Sequence, residues 1–157
     1  MTAGAGRIYD PGSDSATLAM VTGFIMLDHD YAAPFSTPDY LRFKLEASAG
    51  AGDSPPWQGM LSINMLTMCY LDALATSRTR PYIEGGIGLM YSSRRWKGQG
   101  LHFTHNPVAG MGVHITPGGE AAGMYQINLR FIHASNGGLH SDNRGMNAIL
   151  LSTGYVF

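Results

Sequence analysis

The stretch Leu41-Arg-Phe-Lys-Leu-Glu-Ala-Ser48 alternates strictly between apolar and polar side chains. Successive side chains of a β-strand point to opposite faces, so this segment predicts a strand with one apolar face and one face that carries charges of both signs. A membrane β-barrel would turn the apolar face outward and the polar face into its lumen. A water-soluble barrel of the lipocalin type, with its apolar face inward, is the alternative for the same pattern.

The same alternation recurs on both sides of this stretch. The other strand candidates are 4–9, 16–28, 61–72, 81–91, 101–115, 126–135 and 147–157, the second with a blurred alternation. Pro107 is an irregularity within one of them, because proline cannot donate to a β-ladder. About eight antiparallel strands result, most of them near the ~9–11 residues that cross a bilayer at a tilt. We therefore predict an all-β fold in one domain, 1–157: an eight-stranded antiparallel transmembrane β-barrel with an outward apolar band and a polar lumen.

Composition narrows the class of protein further. Only 13% of the 157 residues are charged, which is about half the usual share. A net charge of −1 gives no reason to expect a nucleic-acid partner. The single cysteine, Cys69, excludes an internal disulfide and a thiolate metal cluster. The first residues lack the basic and apolar regions of a signal peptide, so we expect the sequence to begin at the mature chain, with an added or internal Met1.

A histidine and a serine stand two residues apart in the stretch Leu129-Arg-Phe-Ile-His-Ala-Ser-Asn-Gly-Gly-Leu139. In a strand, His133 and Ser135 share a face, and apolar residues at alternating positions before them share it too. The opposite face carries Gln126, Asn128 and Arg130. A nucleophile and a base on the apolar face of a membrane barrel would indicate chemistry directed at lipid.

The chemistry follows from the residue types. A serine hydroxyl is a weak nucleophile until a neighbouring base removes its proton, and His133 could do so for Ser135. Backbone N–H groups of Asn136, Gly137 and Gly138, together with the Asn136 side chain, could stabilise the oxyanion. A histidine and a serine at this spacing are weak evidence by themselves, since the same pair occurs in strands that have no catalytic role.

Three segments together resemble a known family. Residues 131–139, with Pro-Tyr-Ile-Glu-Gly-Gly-Ile-Gly at 81–88 and Asn-Arg-Gly-Met-Asn at 143–147, resemble the lipid A 3-O-deacylase (PagL, acyloxyacyl hydrolase-like) family of outer-membrane barrels. The family's His-x-Ser-Asn motif falls on His133, Ser135 and Asn136. The resemblance is specific from about residue 82 onward.

The resemblance implies a carboxylic ester hydrolase in the bacterial outer membrane, which acts on lipid A or lipopolysaccharide. The reaction would remove the acyl chain at the 3-position of the glucosamine without a cofactor or metal. It implies no nucleic-acid partner and leaves open a homodimer. With Phe157 at the periplasmic rim, the direction of the last strand would place the active site towards the outer leaflet.

The sequence departs from the family at the third catalytic position, where Asn147 stands in place of a glutamate. An amide oxygen can accept a hydrogen bond from imidazole and fix its tautomer, but it cannot supply a negative charge. We expect Asn147 to orient His133, with lower activity than a carboxylate would give; Asp142 and His140 are less favoured substitutes. The alternative is a non-catalytic outer-membrane barrel, structural or lipid-binding, that has lost the acidic member.

Other polar residues have simpler explanations. Glu84 and Arg130 share the inward parity and predict a salt bridge in the lumen. His102 and His105 have opposite parity, so we expect no two-ligand metal site from them. A basic loop with Arg94, Arg95 and Lys97 could bind lipid phosphates, but a solvated loop fits equally well.

Overall fold

The computed structural model describes residues 1–10, 15–28, 38–53, 56–117 and 123–156. Its strands are β1 Thr2–Asp10, β2 Ala16–Asp28, β3 Leu41–Gly52, β4 Gln58–Tyr70, β5 Thr79–Ser92, β6 Phe103–His105, β7 Val108–Ile115, β8 Met124–Ala134 and β9 Met146–Val156. β6 and β7 pair with β5 one after the other and form one strand interrupted at Asn106 and Pro107. The irregularity predicted at Pro107 is therefore confirmed, and the wall contains eight strands.

The strands close into a barrel. Each strand pairs antiparallel with the next along the chain, and β9 returns to pair with β1. This confirms the predicted eight-stranded antiparallel barrel. In the part of the chain that the structure describes, the helical segment is the single turn Asp72–Leu74, which follows β4. Among the described residues, no helix is long and apolar enough to cross a membrane.

Large apolar side chains cover the outside of the barrel. The outward set is Val21, Ile25, Leu61, Ile63, Met65, Ile87, Leu89, Met111, Ile127, Leu129, Phe131, Ile149 and Leu151, all of them well exposed. The lipocalin-type alternative needs the large apolar face inside, so it does not fit this arrangement. An outward apolar band is what a membrane barrel requires.

A belt of buried charges crosses the middle of the lumen. Arg130 Nε donates to Glu84 Oε1 at 2.7 Å, which confirms the predicted salt bridge. The two terminal nitrogens of Arg130 bind both carboxylate oxygens of Glu46, at 3.0 and 2.9 Å. Lys44 completes the set by pairing with Glu84. Two cations and two carboxylates thus neutralise one another where water is excluded.

The predicted polar lumen is found at the middle of the barrel, but the lumen is not polar along its whole length. At the rim formed by the end of β8 and the start of β9, the interior is apolar, and its buried side chains include Ile8, Leu18, Met20, Met60, Met90, Ile132, Met146 and Leu150. An eight-stranded barrel is narrow enough for side chains to fill its interior. Close packing of apolar groups therefore stabilises this end as it would any protein core.

The remaining differences are at element ends. β3 extends to Gly52, beyond the alternating stretch that ends at Ser48. β4 stops at Tyr70: the Leu71 N–H still donates to the Pro81 carbonyl in the same register, but proline has no N–H to return the bond. Phe157, on which the expected orientation rests, lies outside the described residues.

Candidate active site

His133 and Ser135 lie at the rim where β8 ends, on the outward face of the barrel. Along β8 the exposed residues alternate with buried ones, and both site residues fall in the exposed parity, where they are half-buried. Ser135 exchanges two backbone hydrogen bonds with His105, at 2.7 and 3.1 Å, and the His133 N–H donates to the Pro107 carbonyl at 3.0 Å. The segment that carries His133 and Ser135 is thus held by its neighbour up to Ser135.

Asn147 stands directly beside His133. The two residues are register partners on β8 and β9, and Asn147 Oδ1 lies 2.7 Å from His133 Nδ1. Because an amide oxygen only accepts hydrogen bonds, Nδ1 must be the donor. In a neutral imidazole this leaves Nε2 unprotonated, which is the form that a general base needs. The expected position of Asn147 next to His133 is confirmed.

A carboxylate lies one residue further along the same row, at Asp10. Asn147 Nδ2 donates to Asp10 Oδ2 at 3.0 Å, and Arg144 Nη2 approaches Asp10 Oδ1 at 3.4 Å. Sequence reasoning missed this contact, because the first strand candidate, 4–9, ends just before Asp10. The available signal was barrel closure: the end of the first strand must lie beside the start of the last.

Asn136 is fully buried, and its amide is used by the protein itself. Nδ2 donates to Gln99 Oε1 and to the Asp142 carbonyl, both at 2.8 Å. Its Oδ1 accepts from the Gly138 N–H at 3.0 Å, and its own N–H donates to Asn143 Oδ1 at 2.7 Å. These bonds differ from the expectation that the Asn136 side chain faces an oxyanion, and they make it the centre of the loop after β8.

The two glycines that follow adopt conformations that other residues avoid. Gly137 and Gly138 have φ of 63° and 85°. Among the described residues, the Gly137 N–H has no acceptor, whereas that of Gly138 is bound to Asn136. Gly137 is exposed, and a Cβ there would lie 2.9 Å from Nδ1 of His105. Of the three backbone donors that the sequence suggested, Gly137 is the open one, and His105 is a neighbour that sequence reasoning did not place here.

An apolar groove of about 350 Å³ lies next to the site on the outer face. Phe131 and Ile149, each two residues from His133 and Asn147 along their strands, form one side of it. The small residues Ala109 and Gly110 also line it, together with Glu84 and Arg130 of the charge belt. Within the described part of the chain, no group of three or more His, Cys, Asp or Glu side chains is arranged to hold a metal ion.

Comparisons with known proteins identify the family and the fold. A family model described as lipid A 3-O-deacylase (PagL) matches residues 31–156. A solved structure, described as the crystal structure of the outer membrane enzyme PagL, aligns with a TM-score of 0.74 at 19% sequence identity and covers 97% of this chain and 95% of that chain. At this identity the likeness is one of fold. No curated protein matches the chain. Because the family model covers well over half of the sequence, the chain belongs to the lipid A 3-O-deacylase (PagL) family.

Proposed function

We propose that the protein is an outer-membrane lipid A 3-O-deacylase, a serine ester hydrolase with Ser135 as nucleophile and His133 as general base. One observation carries the proposal most: the 2.7 Å contact between His133 Nδ1 and Asn147 Oδ1, in a member of this family, two residues from a serine on the same face. That contact leaves Nε2 as the basic nitrogen of His133.

The first half of the reaction forms an acyl-enzyme. Ser135 Oγ attacks the carbonyl carbon of the ester while its proton moves to His133 Nε2. The tetrahedral intermediate carries a negative charge on the former carbonyl oxygen, and the Gly137 N–H, which has no acceptor among the described residues, donates to it. The C–O bond to the sugar then breaks, and Nε2–H protonates the departing 3-oxygen. Asn147 holds the ring throughout.

The second half of the reaction regenerates the enzyme. A water molecule gives a proton to His133 Nε2 and attacks the acyl-serine ester. The new intermediate collapses, Ser135 Oγ recovers its proton, and a 3-hydroxy fatty acid leaves. No redox step or cofactor is required: the original serine proton ends on the 3-hydroxyl of the sugar, and a proton from water replaces it on Ser135.

The outward position of the site suits a substrate held in the membrane. Lipid A brings its acyl chains to the barrel from the bilayer, so the scissile ester reaches Ser135 without entering the lumen. The apolar groove beside Phe131 and Ile149 gives an acyl chain a surface to lie on. An orientation with this rim towards the outer leaflet would set His133 and Ser135 near the depth of the sugar–acyl esters.

The test is mass spectrometry of lipid A after incubation with purified protein in detergent. Wild type should release a 3-hydroxy fatty acid, and Ser135→Ala should abolish the release. Ser141→Ala, in the exposed part of the same loop, is the matched control and should keep it. Heat-modifiable gel mobility verifies that each variant is folded. Equal release by wild type and Ser135→Ala would overturn the proposal, as would a folded wild type that binds lipid A and releases nothing.

A further inference from the structure

We infer that Asp10 is a positioning residue for the reaction: it fixes the amide of Asn147, and through that amide the tautomer of His133. The inference rests on the proposed function and adds a fourth member to the site. The three residues form a row around the barrel wall on three adjacent strands: His133 on β8, Asn147 on β9 and Asp10 on β1. Its two hydrogen bonds measure 2.7 and 3.0 Å.

The chemistry of the amide explains why Asp10 is needed. An asparagine has a donor end and an acceptor end, and nothing in Asn147 itself decides which end faces the imidazole. An ionised carboxylate only accepts, so Asp10 attracts the NH2 group and turns Oδ1 towards His133. The reversed amide would set two oxygen acceptors against each other. A glutamate in place of Asn147 would accept from Nδ1–H in either rotation and would need no such partner.

The backbone places Asp10 by means of a β-bulge. Arg7 pairs with Ile149 and Ile8 with Ala148, but the next pair joins Asp10 to Asn147, so Tyr9 is an extra residue. Regular alternation would give Asp10 the inward parity of Ile8. The bulge instead brings Asp10 to the outward side, next to Asn147. Bulges commonly re-aim a side chain beside an active site.

The charge of Asp10 acts in the same direction as its geometry. When His133 takes the serine proton, the imidazolium gains a positive charge. The Asp10 carboxylate stabilises that charge through the polarised amide, although less than a direct contact would. Arg144 competes for the carboxylate only weakly, because its contact is 3.4 Å long and its side chain is 55% exposed. The family has a glutamate next to the histidine, whereas here the Asp10 carboxylate acts on His133 through the intervening amide of Asn147.

The first experiment moves the carboxylate. Asp10→Asn should lower kcat about 10- to 100-fold with little change in KM, as loss of an outer-shell partner does. Asn147→Glu alone sets two carboxylates side by side, which disfavours the charge of both. Asn147→Glu combined with Asp10→Asn removes this conflict. In the Asn147→Glu background, Asp10→Asn should therefore raise kcat, the reverse of its effect in wild type. Asp72→Asn makes the same chemical change at the opposite rim and should leave kcat unchanged.

A purely structural role for Asp10 predicts a different result. Asp10→Asn would then cost the same factor in both backgrounds, and this outcome overturns the inference. Wild-type kcat for Asp10→Asn also overturns it.

The second experiment does not depend on activity. Imidazole 15N chemical shifts of His133, assigned by comparison with His133→Gln, report which ring nitrogen carries the proton. Wild type should show the Nδ1–H tautomer, and Asp10→Asn should show a mixture, because an amide at position 10 can accept or donate. An unchanged tautomer rejects the inference whatever the catalytic result. If wild type shows no Ser135-dependent release but Asp10→Asn still changes the tautomer of His133, only the proposed function is rejected.

Discussion

Gly145 packs directly against the ring of His133: a Cβ built on Gly145 would lie 3.0 Å from Cε1 and 3.5 Å from Nε2. The residue has a φ of 80° and immediately precedes β9, two positions before Asn147. This position therefore requires glycine for two reasons: its backbone is left-handed, and a side chain would press against the imidazole. The ring of His133 can keep its position beside residue 145, at Cε1 and Nε2, because that residue has no side chain.

Gly145→Ala should reduce both stability and activity. The positive φ costs an L-residue about 1–2 kcal/mol, and the added methyl group must displace the imidazole. We expect kcat to fall at least tenfold, because small displacements of a catalytic group are costly. Gly138→Ala is the matched control: its φ is 85°, but its Cβ would meet nothing within 4 Å. Urea denaturation and initial rates separate the two effects. If Gly145→Ala and Gly138→Ala lose the same activity for the same loss in free energy of unfolding, the contact between residue 145 and His133 does not affect activity.

The loop after β8 should depend on Asn136 more than on its exposed glycines. Asn136→Ala leaves Gln99 Oε1 and the Asp142 carbonyl without their donor, and each buried acceptor that loses its partner costs about 1–3 kcal/mol. Asn136→Asp should be no better, since a carboxylate faces the same two acceptors. We expect faster cleavage by added protease within 137–145 and a large loss of kcat. A loop that stays protected in both variants would contradict this prediction.

Most of the fold could be predicted from the sequence because the polarity of the side chains alternates along the strands. Alternation at Leu41–Ser48 and along the strand of His133 identified the inward and outward faces, and antiparallel order then placed Asn147 beside His133. Glu84 and Arg130 were paired correctly for the same reason. Side chains alternate between the two faces of a strand, so assigning one residue to a face assigns every other residue of that strand.

The missed features all depend on departures from that periodicity. Asp10 reaches Asn147 only because of the bulge at Tyr9, and no residue type there signals an extra residue. Asn136 belongs to a loop, where its partners Gln99 and Asp142 come from distant parts of the sequence. The apolar rim of the lumen was missed because residues such as Met60 and Leu150 share the parity of polar neighbours. Their burial follows from barrel diameter, which local alternation does not encode.

In the charge belt of the lumen, replacing one cation and one carboxylate together should reduce stability less than replacing the cation alone. Arg130→Met leaves Glu46 and Glu84 buried with Lys44 as their remaining cation in the belt, and breaking a buried pair in this way costs about 3–5 kcal/mol. Arg130→Met combined with Glu46→Gln should recover part of that loss, because no uncompensated carboxylate remains. Urea titrations followed by gel mobility measure both variants. A double variant less stable than Arg130→Met would contradict the prediction.

The outward apolar band should be sensitive to charge only when it faces lipid. Ile63 lies near the middle of β4 and is 62% exposed, so in water an arginine there would have little effect on stability. At the centre of a bilayer the same arginine costs about 2–4 kcal/mol, because a charge must leave water. We therefore expect Ile63→Arg to reduce the free energy of unfolding from phospholipid vesicles by that amount. Ala75→Arg, in the exposed turn after β4, should change it by less than about 1 kcal/mol. Equal effects of the two arginines would mean that the band around Ile63 does not sit in the hydrocarbon layer.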